Sequence, residues 1–324
     1  MYLQLNRLEV FLAATYRRHN HFVSRMSILL TLHNHRFRLC GINVTELPAN
    51  TLLFASEEQD DMPCETPVER TFDYHFVKEL PAPPTDGDGS GWVPTFARYN
   101  ITIWRRGQEE RRMLAVNSPA DAYAVYEETS ATHADIWVLE RIRQRLCIDT
   151  TFTSTLSMER HLARHGIYIF HCANMLHDGK SILLSGPSGA GKSTHAELWC
   201  RHVEGTRVVN GDRSLICRKS DGTYVTDGWP VCGSSGICHN EQHPLGAIVF
   251  IEQTPGNQVL PEGLLPHFRR FFAQLTVNHW DTAVTNEAAD WAMGLCAQVP
   301  ILTYGCNMAP DAPQPLRQAL SELL

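Results

Sequence analysis

Residues 186–194 constrain the fold of this chain more than any other part of the sequence. They read GPSGAGKST and match the pattern G-x-x-x-x-G-K-[ST]. An apolar segment precedes them and a helical pattern follows, so the chain is expected to turn from a strand into a helix here. Glycines let the backbone N–H groups of such a turn surround a phosphate, and the helix start adds positive potential. We call this stretch the GKS loop and predict that it binds a nucleotide. The alternative is a glycine-rich turn that matches by chance.

The side chains of the GKS loop have distinct predicted roles. Lys192 adds a point charge to the terminal phosphates, and Ser193 offers a hydroxyl ligand to Mg²⁺. Only four of the 28 basic residues are lysines, at positions 78, 180, 192 and 219. A compact ammonium fits among crowded N–H groups better than a guanidinium does. The predicted nucleotide-binding residues are Gly186, Ser188, Gly189, Ala190, Gly191, Lys192, Ser193, Thr194 and His195. For His195, just inside the helix, a packing role is the alternative.

Composition excludes several classes of function. The net charge of −7 argues against a general nucleic-acid binder, which needs a basic surface. There is no run of about 18 apolar residues, so we expect no membrane span. The ten cysteines include no CxxC pair, and no convincing secretory signal precedes them. Free thiols and a cytoplasmic location are therefore expected.

Turn residues and strand patterns indicate a first domain that is rich in β-strands. Residues 81–91 read PAPPTDGDGSG, a composition that excludes a helix or a central strand and predicts a surface loop. Short β-branched or aromatic segments lie on both sides of this loop. We predict a β-rich N-terminal domain over residues 26–155, preceded by an extension at residues 1–25. The predicted strands are residues 37–44, 72–77, 99–105, 123–127 and 136–141.

Residues 156–324 alternate predicted strands with predicted helices, which is typical of an α/β domain. The turn at residues 220–222 indicates a hairpin, so we expect a mixed rather than a purely parallel sheet. The predicted strands are residues 168–170, 181–184, 207–210, 215–218, 224–226, 247–252 and 301–304. The predicted helices are residues 158–166, 264–277 and 286–298, with two more that start near residues 192 and 313.

A nucleotide-bound Mg²⁺ needs acidic ligands, and the sequence offers three candidates. Asp212 follows the first predicted strand after the GKS loop, from where it can lie beside Ser193; a turn residue is the alternative. Glu252 ends an apolar strand, as the second acidic residue of many ATPases does, and a surface position is the alternative. Asp227 ends a hairpin strand and is either a further ligand or a turn residue.

Four segments, in this order, resemble the superfamily of HPr serine kinases and phosphoenolpyruvate carboxykinases. They read HDGKSILLSGPSGAGKSTHAELW, VVNGDRSLI, DGWPVCGSSGICHN and PLGAIVFIEQ, and the resemblance as a whole covers roughly residues 160–310. The resemblance is strongest to HPr-kinase-like proteins, including kinases of lasso peptides. It implies a P-loop kinase domain that uses ATP and Mg²⁺ to phosphorylate a hydroxyl, most often that of serine, and a homo-oligomer. It assigns Lys192 to the phosphates and Ser193 with Asp212 to Mg²⁺.

The chain departs from this family at the expected general base. HPr kinases carry two adjacent aspartates, of which the first is proposed to activate serine, whereas this chain has Gly211 at that position. Asp212 is one alternative base. His171, at the end of a predicted strand, and His165, in a His-Gly pair like that of the family, are two others. Packed or hydrogen-bonded histidines are the alternative for both.

Residues 233–236 have the composition of an anion-binding turn. We call them the GSSG loop (Gly233, Ser234, Ser235 and Gly236) and expect them to hold the acceptor or a phosphate; a plain loop is the alternative. Relatives often carry a lysine here, but this chain has serines. Arg213 is therefore the expected source of additional positive charge.

Together these features predict a kinase that transfers the γ-phosphoryl group of ATP to a hydroxyl of a peptide, protein or small molecule. The alternative is a nucleotide-binding switch, in which Gly211 marks lost catalysis and ATP orders a surface for a partner. A decarboxylating carboxykinase is disfavoured, because the domain is short and lacks the additional metal-binding lysine and histidine set of those enzymes.

Overall fold

The structure, a computed structural model, describes residues 27–57, 67–85 and 87–324. The predicted extension at residues 1–25 lies outside these ranges. Across them, no helix is long and apolar enough to cross a membrane. The described chain is a mixed α/β structure with two mixed β-sheets, which confirms the predicted class at that level.

The N-terminal sheet contains nine strands among the described residues. They are β1 (Ile28–Leu32), β2 (His35–Cys40), β3 (Ala55–Glu57), β4 (Val68–Val77), β5 (Val93–Arg98), β6 (Ile101–Arg106), β7 (Glu109–Ala115), β8 (Ala122–Ser130) and β9 (His133–Leu139). Their order is β3-β1-β2-β4-β9-β8-β7-β6-β5. The pairs β2–β4 and β4–β9 are parallel, and the others are antiparallel. In β4, Arg70, Phe72 and Tyr74 alternate as buried residues, so one face of this strand lies in the core.

The second sheet has eight strands in the described chain. They are β10 (Ile167–His177), β11 (Lys180–Ser185), β12 (Thr206–Asn210), β13 (Arg213–Arg218), β14 (Tyr224–Asp227), β15 (His243–Gln253), β16 (Gln258–Leu260) and β17 (Ile301–Cys306). Strands β11, β15 and β17 are parallel, and β10 is antiparallel to β11, β12 and β13. The pairings β10–β11–β15–β14–β13–β10 close into a ring. The prediction of residues 168–170 for β10 was therefore too short, because this strand continues past His171 to pair with two further strands.

Helices lie against both faces of the parallel strands. They are α1 (Asp149–Leu156), α2 (Met158–Ala163), α3 (Lys192–His202), α4 (Leu264–Gln274), α5 (Thr282–Cys296) and α6 (Pro313–Ser321), with short 3₁₀ helices at Val44–Glu46, Thr51–Phe54, Pro119–Asp121, Glu140–Cys147 and Gly233–Ser235. Ile182 and Leu184 of β11 pack in one apolar cluster with Trp199 of α3. Leu183 packs in another with Phe271 of α4. Because β11 is buried on both faces, it reads as a continuous apolar run in the sequence.

A buried network of charged side chains joins the two halves of the molecule. Arg160 of α2 contacts Glu110 of β7 (Nη1–Oε2 3.4 Å) and Glu128 of β8 (Nε–Oε1 3.1 Å). Arg112 contacts Glu110 as well, and the indole Nε1 of Trp280, just before α5, donates to Glu110 Oε2 at 3.1 Å. Because buried charges are tolerated only when they are paired, these contacts fix the N-terminal sheet against α2 and the segment before α5.

Candidate functional site

The strand and the helix predicted on either side of the GKS loop are both present. Strand β11 ends at Ser185 and helix α3 begins at Lys192. Gly191 has φ +100°, and a Cβ at this position would lie 2.8 Å from Cε of Met308. A larger residue is therefore disfavoured by backbone strain, whereas the flexible end of the Met308 side chain could move aside. Ser188 and other residues at the tip of the loop are exposed, so the loop is open to a ligand.

Lys192 is the buried cation of this loop. Its side chain is 8% exposed, and Nζ donates to the backbone oxygens of Gly186 (3.0 Å) and Pro187 (3.2 Å). Burial lowers the pKa of this ammonium, and the nearby carboxylate of Asp212 opposes the shift. The lysine is thus held against the loop, beside the acidic residue that the sequence predicts as its partner.

The first turn of α3 presents polar groups to solvent. Ser193 and Thr194 are exposed, and no described side chain caps the helix start at Gly191. The first N–H groups of a helix have no partner within the helix, and they attract anions together with the helix dipole. The hydroxyl of Ser193 is therefore available where an anion and its metal ion are expected to bind.

Asp212 is oriented by the turn between β12 and β13. Oδ1 of Asn210 accepts hydrogen bonds from the N–H groups of Asp212 (2.9 Å) and Arg213 (3.0 Å), a local turn that Asn-Gly-Asp favours. The Asp212 carboxylate is contacted by Nε2 of His171 (3.5 Å) and accepts a hydrogen bond from Nε of Arg213 (3.1 Å). The imidazole of His171, followed by the charge of Arg213, lowers the pKa of Asp212. The carboxylate is therefore ionised at neutral pH, as a metal ligand has to be.

His171 is held between two polar groups. It lies in β10, directly opposite Arg213 of β13. Its Nδ1 hydrogen-bonds with Oε1 of Gln274, at the end of α4, at 2.8 Å. A proton on Nε2 is shared with Asp212 and lowers the pKa of that carboxylate, whereas the neutral tautomer with its proton on Nδ1 leaves Nε2 as the basic atom. Sequence reasoning missed Gln274, since nothing in the helical pattern of α4 distinguishes this residue from a surface glutamine.

The GSSG loop packs directly on the Asp212 turn. A Cβ at Gly211 would lie 1.9 Å from Oγ of Ser235, and a Cβ at Gly233 would lie 3.0 Å from Cβ of Asp212. Oγ of Ser235 in turn donates to the backbone oxygen of Cys232 at 2.7 Å. The absence of a side chain at residue 211 is therefore a packing requirement. Ser234 and Gly236 of this loop are exposed and face solvent.

Glu252 and its neighbour lie beside the GKS loop. Strand β15 runs parallel to β11 and pairs Phe250 with Ser185, so Glu252 follows just beyond the end of β11. Its Oε1 accepts a hydrogen bond from Nη2 of Arg270 at 2.5 Å. Nε2 of Gln253, which the sequence did not single out, donates to the backbone oxygen of Gly189 at 2.9 Å. Glu252 thus lies at the end of the strand, as predicted. Its charge is balanced by Arg270, however, which disfavours the predicted role as a metal ligand.

Asp227 is committed to other contacts. Its Oδ2 contacts Nδ1 of His33 (2.8 Å) and accepts from Nε2 of Gln242 (3.1 Å), and its Oδ1 accepts from the N–H of Gly228 (2.8 Å). The carboxylate is buried among these groups. The structure therefore places Asp227 at the contact with the β1–β2 turn rather than with Asp212.

His165 does not join His171. Its Nε2 contacts Oε2 of Glu69 in β4 at 2.8 Å, and its ring lies 4.0 Å from that of His35. In β10, His171 comes four residues after Ile167, which is about 13 Å of extended chain. The structure therefore corrects the expectation that His165 belongs to the catalytic groups around Lys192.

His195 is a core residue. Its side chain is fully buried, and Nε2 accepts a hydrogen bond from Nε1 of Trp199 at 3.2 Å. Nδ1 has no partner within the described structure. Burial lowers the pKa of His195 to about 4. This placement favours the packing role, and the predicted contact with the nucleotide is not supported, because no surface of the ring is open.

No protein-family model matches this chain, and no curated protein matches it either. What the chain does is therefore inferred from its own residues. His171 contacts Asp212, Lys192 lies near that carboxylate, and the GSSG loop packs on the same turn, while Ser193 is exposed at the start of α3.

Proposed function

We propose that this protein is a P-loop kinase of the HPr-kinase-like type, which transfers the γ-phosphoryl group of ATP to a hydroxyl. The observation that carries this proposal is the proximity of Lys192, buried in the GKS loop, to the ionised Asp212 of the neighbouring turn, whose charge opposes the lowering of the Lys192 pKa. A fixed cation and a fixed carboxylate beside an open helix start are what a metal-bound triphosphate requires. The ordered resemblance of the GKS, Asp212 and GSSG segments to HPr kinases supports the same reaction.

The donor set fits ATP with Mg²⁺. Mg²⁺ prefers hard oxygen ligands, and the hydroxyl of Ser193 and the carboxylate of Asp212 are of that kind. The ammonium of Lys192 and the first N–H groups of α3 suit phosphate oxygens. When bound, ATP supplies the phosphoryl group, and Mg²⁺ offsets its charge. Lys192 then holds the phosphates, while Asp212 and Ser193 orient the metal ion.

His171 is the proposed proton acceptor. Its Nδ1 is engaged by Gln274, which leaves Nε2 as the atom that takes a proton from the acceptor hydroxyl. Gly211, where HPr kinases carry an aspartate, has no space for a carboxylate because Ser235 occupies it. The base is therefore assigned to β10 rather than to the turn. Arg213 offsets the charge that develops during transfer.

The acceptor is proposed to bind at the GSSG loop. Gly233 lies against Asp212, so the exposed Ser234 is close to the metal-binding side of the turn. A hydroxyl of a peptide, protein or small molecule approaches from this side. The chain is proposed to work in the cytoplasm, where its thiols stay reduced, and as a homo-oligomer, like relatives in the superfamily it resembles.

A nucleotide-dependent switch is the second candidate, and Gly211 is the observation that favours it. Because no carboxylate fits at this position, the site lacks the base that HPr kinases carry. In that case ATP binds tightly, turnover is absent, and the bound state orders the GSSG loop for a partner. The two candidates differ in whether phosphate leaves ATP for an acceptor.

Transfer of label from γ-³²P-ATP with Mg²⁺ tests the kinase proposal. The acceptors are free serine, small alcohols and peptides that contain serine, threonine or tyrosine. We expect transfer to one acceptor class, with at least a 100-fold loss in Lys192→Ala. Lys180→Ala is the matched control, since Lys180 contacts only the backbone of Leu324 among the hydrogen bonds described for it. His171→Gln is expected to lower turnover by about 10²–10⁴-fold while ATP still binds.

Two results would count against the kinase. If phosphate left ATP only for water and Lys192→Ala behaved like wild type, the site would not be a phosphotransferase. If wild-type protein bound ATP in titration calorimetry, released no phosphate and transferred none, the switch would be the better description.

A further inference from the structure

Three side chains from separate elements converge at the junction between the N-terminal sheet and helix α2. They are His35 of β2, Glu69 of β4 and His165, which follows α2. Nδ1 of His35 contacts Oε1 of Glu69, and Nε2 of His165 lies 2.8 Å from Oε2 of the same carboxylate. One ligand atom from each residue lies within 4.8 Å of those of the other two. A single carboxylate thus holds two imidazoles whose ring centres are only 4.0 Å apart.

A backbone irregularity aims Glu69 into this cluster. In the β2–β4 pair, Arg36 is opposite Val68, but Phe37 is opposite Arg70. Glu69 is therefore the extra residue of a β-bulge. Bulges interrupt the alternation of a strand and re-aim one side chain, and they are common beside functional sites. After the bulge, Arg70, Phe72 and Tyr74 follow the regular alternation of buried residues in β4. Glu69 is therefore the one residue that the bulge displaces from this pattern.

The β1–β2 turn fixes the other side of the cluster. His33, in this two-residue turn, has φ +54°, which is uncommon for a residue other than glycine. Its Nδ1 is held 2.8 Å from Oδ2 of the buried Asp227, and its ring is stacked 6.1 Å from that of His35. These contacts tie the turn to the second sheet and hold His35 at the junction.

We propose that His35, Glu69 and His165 bind one divalent transition-metal ion, with Zn²⁺ as the preferred ion. Two imidazole nitrogens and one carboxylate oxygen form a common protein ligand set for Zn²⁺, and they leave a fourth position open to water. The side chains are 19%, 27% and 38% exposed, so an ion can enter from solvent. Bound metal replaces the shared protons and links β2 and β4 to the α2–β10 connection. This site is separate from the GKS loop and does not rest on the proposed kinase activity.

Zinc titration of the full-length chain tests the site. Tag-free protein, stripped with chelator, is titrated with Zn²⁺ in competition with a chromophoric chelator. Wild-type protein is expected to bind one ion tightly, and His35→Ala, His165→Ala and Glu69→Gln are each expected to weaken this binding at least tenfold. Zn²⁺ is also expected to raise the thermal unfolding temperature of the wild type but not of these variants.

Two control variants separate this cluster from other ligands. His133→Ala removes one member of a second group, made with Asp73 and Asp135 on the N-terminal sheet, and is expected to leave the tight site intact. His202→Ala removes an exposed histidine at the end of α3 and is expected to have no effect. The Co²⁺ spectrum of the wild type is expected to lack a thiolate charge-transfer band, since no cysteine belongs to the site.

Rescue distinguishes ligation from a structural role. His165→Cys keeps a zinc ligand at this position. It is expected to recover tight binding and to introduce the thiolate band of Co²⁺, whereas His165→Ala does neither. The proposal is overturned if tight binding persists in all three ligand variants, if His133→Ala abolishes it, or if wild-type Co²⁺ protein shows thiolate ligation. Failure of His165→Cys to bind, in a variant whose circular dichroism matches wild type, would also overturn it.

Discussion

At the scale of single residues, the candidate site depends on the absence of side chains as much as on their presence. Lys192 and Asp212 are positioned by backbone turns in which neighbouring loops approach closely. The GSSG loop reaches the Asp212 turn only because Gly211 and Gly233 leave room for it. A glycine at position 211, where the resemblance described above leads one to expect an aspartate, is in structure the condition for this contact.

Gly211→Ala is expected to destabilise the protein by about 1–3 kcal/mol, the usual cost of overpacking. The new Cβ would lie 1.9 Å from Oγ and 2.3 Å from Cβ of Ser235. In a Ser235→Gly background the same change is expected to cost less, because the clashing atoms are gone. Urea unfolding of the four proteins in the cycle measures this coupling.

The matched control is Gly256→Ala, since a Cβ at Gly256 would meet nothing within 4 Å. This variant is expected to be neutral or slightly more stable. An equal cost of Gly211→Ala in both backgrounds would show that Ser235 is not the reason for the glycine.

At the scale of elements, helix α3 has an exposed polar first turn and a buried apolar face. Its first turn is open and polar at Ser193 and Thr194, whereas Ala196 and Trp199 are buried against the sheet. His195 lies on the buried side, one turn before its partner Trp199. Burial in an apolar surrounding holds it neutral, with a pKa of about 4. The helix that presents the candidate site is therefore sensitive to acid through its packed face.

Acid is expected to destabilise the protein through His195. The folded pKa of about 4 lies below the unfolded value of about 6.5, so the unfolded chain takes up a proton first as the pH falls. The contribution to stability is complete above about pH 6.5 and is lost towards pH 4, with about 2 kcal/mol lost between pH 7.5 and pH 5. His195→Gln, which keeps an acceptor for Trp199, is expected to lose about 2 kcal/mol less than wild type over this range.

Urea unfolding at the two pH values measures this difference. His202→Gln, an exposed histidine in the last turn of the same helix, is the control and is expected to follow wild type. Parallel pH profiles for wild type and His195→Gln would contradict the assignment of a buried neutral imidazole.

At the scale of the whole molecule, the sequence predicted those features that depend on residues close together along the chain. The GKS loop, helix α3 and the position of Asp212 follow from short-range spacing, so the sequence predicted them. The partners of Asp227 and His165 come from β1–β2 and β4, far away along the chain, and no local pattern contains that information. Strand β7 was not predicted for a related reason. Its sequence is rich in charged residues, and these are buried only because they form ion pairs with other elements.

That network of ion pairs is a second long-range determinant of the fold. Burial alone would raise the pKa of Glu128, but the charge and hydrogen bond of Arg160 lower it below the usual value. Glu110 contacts the same guanidinium and is fully buried. The three residues come from β7, β8 and α2, so their pairing links the N-terminal sheet to the chain segment that leads into β10.

Arg160→Ala is expected to destabilise the protein by about 3–5 kcal/mol at pH 7, because two buried carboxylates each lose one of their two arginine partners. The folded pKa of Glu128 is lowered, so its contribution is present above the unfolded value of about 4.5 and is lost as the pH falls through the folded value. The cost of Arg160→Ala is therefore expected to be smaller at pH 4 than at pH 7. Urea unfolding at both pH values measures it, with Arg201→Ala, whose exposed pair with Glu197 is worth about 0.3–0.5 kcal/mol, as the control. A cost below about 1 kcal/mol at pH 7 would mean that the network does not hold the two sheets together.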